Sequence, residues 1–139
     1  MQNQNEDRIF PLGKAAPADR FTGAAFINPL VPGNKEPYYC SISDVVFKAG
    51  SRNNWHVHQS GQVLLVTAGK GFYQEKGKKA QPLGKGDVVP VPADVEHWHG
   101  AAPDCDMTHI SINFNLNKGD AVWLGPVTDE EYRKATAGN

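Results

Sequence analysis

Glycine and proline punctuate this chain too often for its core to be built from helices. Fourteen glycines and ten prolines are spread along 139 residues and are not pooled in a linker. Each one weakens a helix interior or removes a backbone donor from it. Between them lie short runs rich in Val, Ile, Phe and Tyr, the residues of half-buried strands. The pattern predicts strands at Ala24–Asn28, Tyr38–Phe47, Asn53–His58, Gln62–Ala68, Gly71–Glu75, Asp87–Val91, His97–Gly100, Met107–Asn115 and Ala121–Leu124. Turn signals separate most of them, at Lys48-Ala49-Gly50, Ala68-Gly69, Gly77, Gly84-Lys85-Gly86 and Lys118-Gly119. Many short strands with closely spaced turns specify an all-β barrel or sandwich. The length fits one domain, large enough to bury a core without disulfides or metal staples.

Charge narrows the function classes. With 14 basic and 15 acidic residues the formal net charge is −1. That balance offers no electrostatic footprint for nucleic acid or an anionic membrane surface. Cys40 and Cys105 form no CxxC pair and are expected to be two thiols. The first seven residues are polar and acidic, unlike a secretory leader, and runs such as Val63-Leu64-Leu65-Val66 are too short to span a bilayer. A cytoplasmic location is expected. Residues 1–20 read as a loose arm. Near the other end, Thr128 followed by Glu131 makes a capping box, with acidic residues in the first turn and Arg133-Lys134 later. This predicts a short helix over 129–136, closed by Gly138.

All five histidines fall between residues 56 and 109. In His56-Val57-His58 the two imidazoles are two residues apart, so on a strand both enter one space while Trp55 and Val57 face away. Gln62 follows across Gln59-Ser60-Gly61, a turn-like triplet that can return the chain as a neighbouring strand beside the two histidines. His97-Trp98-His99 repeats the two-residue period. A lone buried His is more often a core residue satisfied by hydrogen bonds. Four such polar groups converging without partners would cost kilocalories per group, and a cation supplies partners for all of them. The candidate metal ligands are therefore His56, His58, Gln62 and His97. Three neutral imidazoles and a neutral amide leave a divalent ion its full charge, which favours Lewis-acid chemistry and anionic ligands. Nitrogen and oxygen donors suit Mn, Fe, Co, Ni or Zn alike.

Met107–Asn115 alternates strictly, with His109, Ser111, Asn113 and Asn115 on one face and Ile110, Ile112 and Phe114 on the other. His109, near the metal but not bound to it, is the candidate general base. Asn113 shares its face, and His99 is a candidate for orienting His97 or the substrate. Ser41, Ser43 and Val45 are expected to line the cavity. Trp55, Trp98 and Phe72 are expected to pack in the core or rim and not to stack on substrate.

The stretch Gly50-(5)-His56-Val57-His58-(3)-Gln62-(6)-Gly69 resembles the first motif of the cupins, and Gly86-(5)-Pro92-Ala93-Asp94-(2)-His97 resembles the second. Gln62 stands where that motif most often has Glu, and Asp94 where it often has Gly. The resemblance implies a closed jelly-roll barrel (a double-stranded β-helix) over residues 21–127 with the metal near its centre. Residues 1–20 would then be the arm, and 128–139 the helix and tail. It also implies homodimers, often with exchanged N-terminal strands, and the outward stripe Val57, Val63, Leu65 must pack against another sheet or subunit. Four further segments, Ala18–Gly23, His97–Pro103, Met107–His109 and Val127–Glu130, resemble small bacterial cupins that include manganese-dependent hydroxynitrile lyases, some of them associated with carboxymuconolactone decarboxylases. By that likeness a cyanohydrin oxygen or cyanide meets the metal and His109 moves the proton. Asn113 stands where those lyases carry a longer Gln. A small-molecule lyase is thus the expected function. A dioxygenase, which the absence of a carboxylate ligand argues against, and a non-catalytic ligand-binding module are the alternatives.

Overall fold

The computed structural model describes residues 8–33 and 36–137. In chain order the strands are β1 (Lys14–Ala15), β2 (Phe21–Thr22), β3 (Ala25–Val31), β4 (Ser41–Phe47), β5 (Arg52–Asn53), β6 (His56–Val57), β7 (Gln62–Glu75), β8 (Gln81–Gly84), β9 (Val88–Val91), β10 (His97–Ala101), β11 (Met107–Asn113) and β12 (Val122–Trp123). A 3-10 turn at Leu116–Lys118 and the helix α1 (Asp129–Thr136) complete the order. Every strand pairing is antiparallel. The path β1-β3-β4-β11-β7-β10-β5-β2 curls into an all-β barrel, the predicted fold class.

β7 links the two halves. Its first part pairs with β11 and β9, and its second part with β10 and β8. The sequence pattern predicts two strands here, parted by a turn at Ala68-Gly69; the structure has one strand of 14 residues. Gly69 has φ +76°, and a Cβ there would run into the carbonyl of Asp106. The pairing with β11 shifts register between Thr108 and His109. The glycine therefore bends the strand from one half to the other without reversing it.

Other boundaries differ for local reasons. β4 starts at Ser41 and not at Tyr38, because Tyr39 sits at φ +44°. β11 ends at Asn113, and Asn115 at φ +49° opens the 3-10 turn. The single strand predicted over Asn53–His58 is two short ones, β5 and β6, with Asn54 and Trp55 between them. Within the expected loose arm, Lys14–Ala15 pairs with Phe26–Ile27.

Two apolar clusters hold the fold. Inside the barrel, Val45, Phe47, Leu64, Val66, Ala101 and Met107 are among the side chains that pack together. Outside the second half, Trp55, Phe72 and Trp98 pack with Val127, Tyr132 and Ala135, as expected of core residues. The helix forms where the capping box predicts it. Thr128 Oγ1 accepts from the Glu131 amide at 3.1 Å, and Glu131 Oε1 accepts from the Thr128 amide at 2.9 Å. Gly138, its expected closing residue, lies outside the described residues. The buried Arg52 guanidinium lies 4.5 Å from the Tyr132 ring centre and donates to the Val127 carbonyl at 2.7 Å. Tyr132 donates its hydroxyl to the Ala101 carbonyl at 2.6 Å. Cys40 and Cys105 are free thiols. No helix among the described residues is long and apolar enough to cross a membrane.

Candidate metal centre

β6 and β10 pair with His56 opposite His97, which sets the two His-x-His segments side by side. Strand alternation then sends the imidazoles into the barrel and Trp55 and Trp98 into the outer cluster. Ring centres lie 4.2 Å apart for His56–His97, 4.9 Å for His56–His58 and 5.4 Å for His58–His97. The Gln59-Ser60-Gly61 link does not return the chain as a neighbour of β6. It carries the chain across to the other half, because β6 is taken up by β10 and β12. Gln62 therefore faces the histidines from across the barrel. Asp94, at φ +64°, takes the left-handed position that glycine often fills, and its amide donates to the His58 carbonyl at 2.9 Å.

Backbone carbonyls fix two tautomers. A carbonyl only accepts, so Nδ1–H of His56 donates to Asn54 O at 2.7 Å and Nδ1–H of His97 donates to Val95 O at 2.9 Å. Each ring then turns an Nε2 lone pair inward. Gln62 donates its amide nitrogen to Ser111 Oγ at 2.7 Å, which leaves its oxygen 3.3 Å from His97 Nε2. With His97 neutral these are two acceptors facing each other. His58 Nε2 is buried without a hydrogen-bond partner. Lone pairs so gathered repel unless a cation lies among them. Burial, the first cause throughout, together with neighbouring imidazoles pushes His56 far below its ordinary pKa and His58 down to about 4; burial also lowers His97. The rings are thus neutral at pH 7, the form a metal requires.

The other two histidines adjoin this group. The ligand-capable atoms of His56, His97 and His99 all lie within 4.8 Å of one another, so His99 is nearer to the coordinating position than its spacing in the sequence implies. His99 and His109 are hydrogen-bonded, Nδ1 to Nε2, at 2.9 Å. Burial lowers His99 far below its usual value and brings His109 to about 4. His109 is fully buried, and its Nδ1 has no partner. Asn113 donates to Ser41 Oγ at 3.0 Å, and its oxygen is likewise unpartnered. His109, Ser111 and Asn113 share the inward face, with Ser43 and Val45 beside them on β4. A cavity of about 180 Å³ opens onto His56, His58, Gln62, His99, His109 and Asn113.

Three supporting residues escape sequence reasoning. Trp123 stacks on His56 with ring centres 4.5 Å apart and planes 23° apart. Asn53 accepts from the His99 amide at 2.9 Å and sets its own amide nitrogen 3.3 Å from both ring nitrogens of His99. Asn54, besides orienting His56, donates its side-chain amide to the carbonyls of Asp19 and Leu124. Trp123 and Asn53 are far in sequence from the histidines they serve and are brought to them by the pairings β6–β12 and β5–β10, whereas Asn54 lies two residues before His56, as Val95 lies before His97.

Comparison with known proteins agrees with this fold. Residues 43–113 match the cupin domain family. An (R)-mandelonitrile lyase of Granulicella tundricola is 42% identical over 118 residues, covering 85% of this chain and 89% of that protein. The crystal structure of a cupin-like protein of Thermotoga maritima superimposes with a TM-score of 0.93 at 51% identity, covering 96% of this chain and all of the other. The dimethylsulfoniopropionate (DMSP) lyase DddQ of Ruegeria pomeroyi shares the fold at 19% identity and a TM-score of 0.63, covering 81% of this chain and 55% of that one. By its barrel, its histidine-lined interior and its matched sequence, the chain belongs to the cupin family.

Proposed function

We propose that this chain is a metal-dependent lyase acting on a small hydroxylated substrate of the cyanohydrin type. In this reading His56, His58, Gln62 and His97 hold one divalent transition metal, and His109 moves the proton. The observation that carries it is the cluster of inward lone pairs: His97 Nε2 against the Gln62 oxygen at 3.3 Å, with His58 Nε2 unpartnered beside them. The bound cation supplies Lewis acidity, lowering the pKa of a substrate hydroxyl.

The protein's own groups account for the rest. If Nε2–H of His109 donates to His99 Nδ1, the unpartnered Nδ1 of His109 keeps its lone pair for the hydroxyl proton. Burial makes His109 a weak base, so it works on a hydroxyl already acidified. As the proton leaves, the carbon–carbon bond to the nitrile breaks, cyanide departs with the electron pair, and the oxygen becomes an aldehyde carbonyl. His109 then returns the proton to cyanide. Asn113, with a free acceptor at the cavity wall, orients the substrate. The similarity to a mandelonitrile lyase over most of both chains supports this choice of reaction.

A homodimer belongs to the same proposal, because Val63, Leu65, Ile110 and Ile112 remain partly exposed on the outer face of the sheet. Sedimentation equilibrium tests it. The activity is tested by loading the purified protein separately with Mn, Fe, Co, Ni and Zn and following benzaldehyde release from mandelonitrile. Turnover with at least one metal and none after chelation is expected. Full activity in the chelated protein, or none with any metal, overturns the assignment.

A further inference from the structure

The mouth of the cavity carries a charge that the chemistry at its floor does not use. Arg20 lines the same cavity as His56, His58, His109 and Asn113. Among the described residues that line it, none is an aspartate, a glutamate or a lysine, and Arg20 is the one arginine. Arg20 is therefore the one guanidinium or ammonium side chain facing the cavity among the described residues. Its guanidinium lies 5.2 Å from the ring centre of Trp123, the ring that stacks on His56. Arg20 makes no ion pair with any described residue.

The position is built, not incidental. The turn over residues 17–20 closes with the Arg20 amide donating to the Pro17 carbonyl at 3.1 Å. Asn54 then ties that turn to the centre: its backbone amide donates to the Arg20 carbonyl at 2.8 Å and its side chain to the Asp19 carbonyl at 3.0 Å. The carbonyl of the same Asn54 accepts from His56 Nδ1. One residue thus fixes both the ring that faces the floor and the loop that bears the guanidinium.

We propose that the cavity takes small 2-hydroxycarboxylates or their close carboxylate analogues, with Arg20 as the residue that anchors the carboxylate at the mouth while the hydroxyl faces the histidine centre. This rests on the metal-centre reading above and adds an anionic ligand class beside the cyanohydrin-type substrate proposed there. A planar guanidinium presents two parallel donors to a carboxylate, an arrangement a neutral nitrile or amide cannot return with charge. A cavity of about 180 Å³ lies below the usual range for drug-sized ligands, so it suits a small acid and not a nucleotide. The lack of acidic lining removes the repulsion such an anion would meet.

Mandelate and mandelamide, alike in shape and hydroxyl but differing in charge, make the test, with lactate and lactamide as a smaller pair. Affinities are measured by calorimetry on the Mn-loaded and the metal-free full chain, for the parent, Arg20→Gln and Arg20→Lys. The readout is the affinity ratio of acid to amide. The expected parent ratio is about tenfold to a hundredfold in favour of the acid, the range of a charge-assisted hydrogen-bond pair, and it shrinks as salt is raised. Arg20→Gln lowers the ratio at least tenfold, and Arg20→Lys falls between the two. Equal affinities in the parent, or a ratio that Arg20→Gln leaves untouched, overturns the proposal; the second result assigns anion preference to the metal alone. An Arg20-dependent ratio in protein that takes up no metal keeps the anchor and removes the metal reading, whereas firm metal binding with no Arg20-dependence does the reverse. Should Arg20→Gln fail to fold, Arg20→Lys and the salt series on the parent decide between these outcomes.

Discussion

Replacing Asp44 by asparagine should stabilise the protein at neutral pH although it removes a charge from a sheet that otherwise pairs well. Asp44 lies on β4 between Asn28 of β3 and Ile110 of β11, and is 2% exposed. One carboxylate oxygen is buried without a hydrogen bond. Burial raises its pKa from 3.8 to about 6, with the Arg8 charge pulling the other way. The folded state therefore holds a proton on Asp44 that the unfolded chain has already lost between about pH 4 and pH 6. Stability from this group falls as pH rises through that window, and a displacement of this size corresponds to roughly 3 kcal/mol above it. Asn keeps the shape and cannot ionise. Because its amide must find partners of its own, the expected gain at pH 8 is about 1–3 kcal/mol, or about 1 M in urea midpoint for a slope near 2 kcal/mol/M. Below pH 3.8 that gain should vanish, leaving the variant level with the parent or less stable by up to about 2 kcal/mol, the cost of the amide. The assay is urea unfolding of parent and Asp44→Asn in the same buffers from pH 3.5 to pH 8. The histidines act in the same range with the opposite sign, so the reading is the difference between the two proteins. A variant less stable than the parent at pH 8, or a difference that does not change with pH, refutes the reasoning.

Four further outcomes are expected. Metal-free protein should lose stability as pH falls from 6.5 towards 4, because burial holds both His58 and His109 down to about 4 and the unfolded chain takes up their protons first; unfolding midpoints across that range check it. His109→Ala should keep its metal content, read by elemental analysis, and lose about a hundredfold to ten-thousandfold in turnover; a variant as fast as the parent removes the base assignment. Gln62→Glu should bind the cation more tightly, by competition with a chelator, yet turn over more slowly, because a carboxylate cancels part of the charge that activates the substrate. Arg52→Ala should cost about 2–3 kcal/mol in urea unfolding, through the Val127 carbonyl and the Tyr132 ring it leaves unpartnered; the Asp129 pair adds little, since that carboxylate is 90% exposed.

How much of this was legible in the sequence depended on the range of the signal. The His56/His58 and His97/His99 pairs are local: two residues on a strand share a face whatever the rest of the chain does, so their convergence was readable. The helix over 129–136 was readable for the same reason, since a capping box is written in four residues. Spacing singles out Gln62 but not the path that delivers it, because a three-residue link can join neighbouring strands or opposite walls and only the competing claim of β10 and β12 on β6 decides. Gly69 looked like a turn because glycine marks both turns and bends; the contact with Asp106 that distinguishes them is 37 residues distant in sequence. The nearness of His99 to His56, the stacking of Trp123 and the contact of Asn53 with His99 are consequences of barrel closure and leave no periodic trace.

The passage of β7 through both walls limits how this molecule can change. Its inward and outward side chains alternate from Gln62 to the bend at Gly69, so one inserted or deleted residue in that stretch would turn Gln62 away from the histidines and bring Val63 in. The second wall, paired through Phe72 and Tyr73, would barely register the edit. Length variation is therefore tolerable where no ladder runs, as over residues 115–121, and forbidden along the shared strand. A library of length variants should draw on the first and leave the second at its present length.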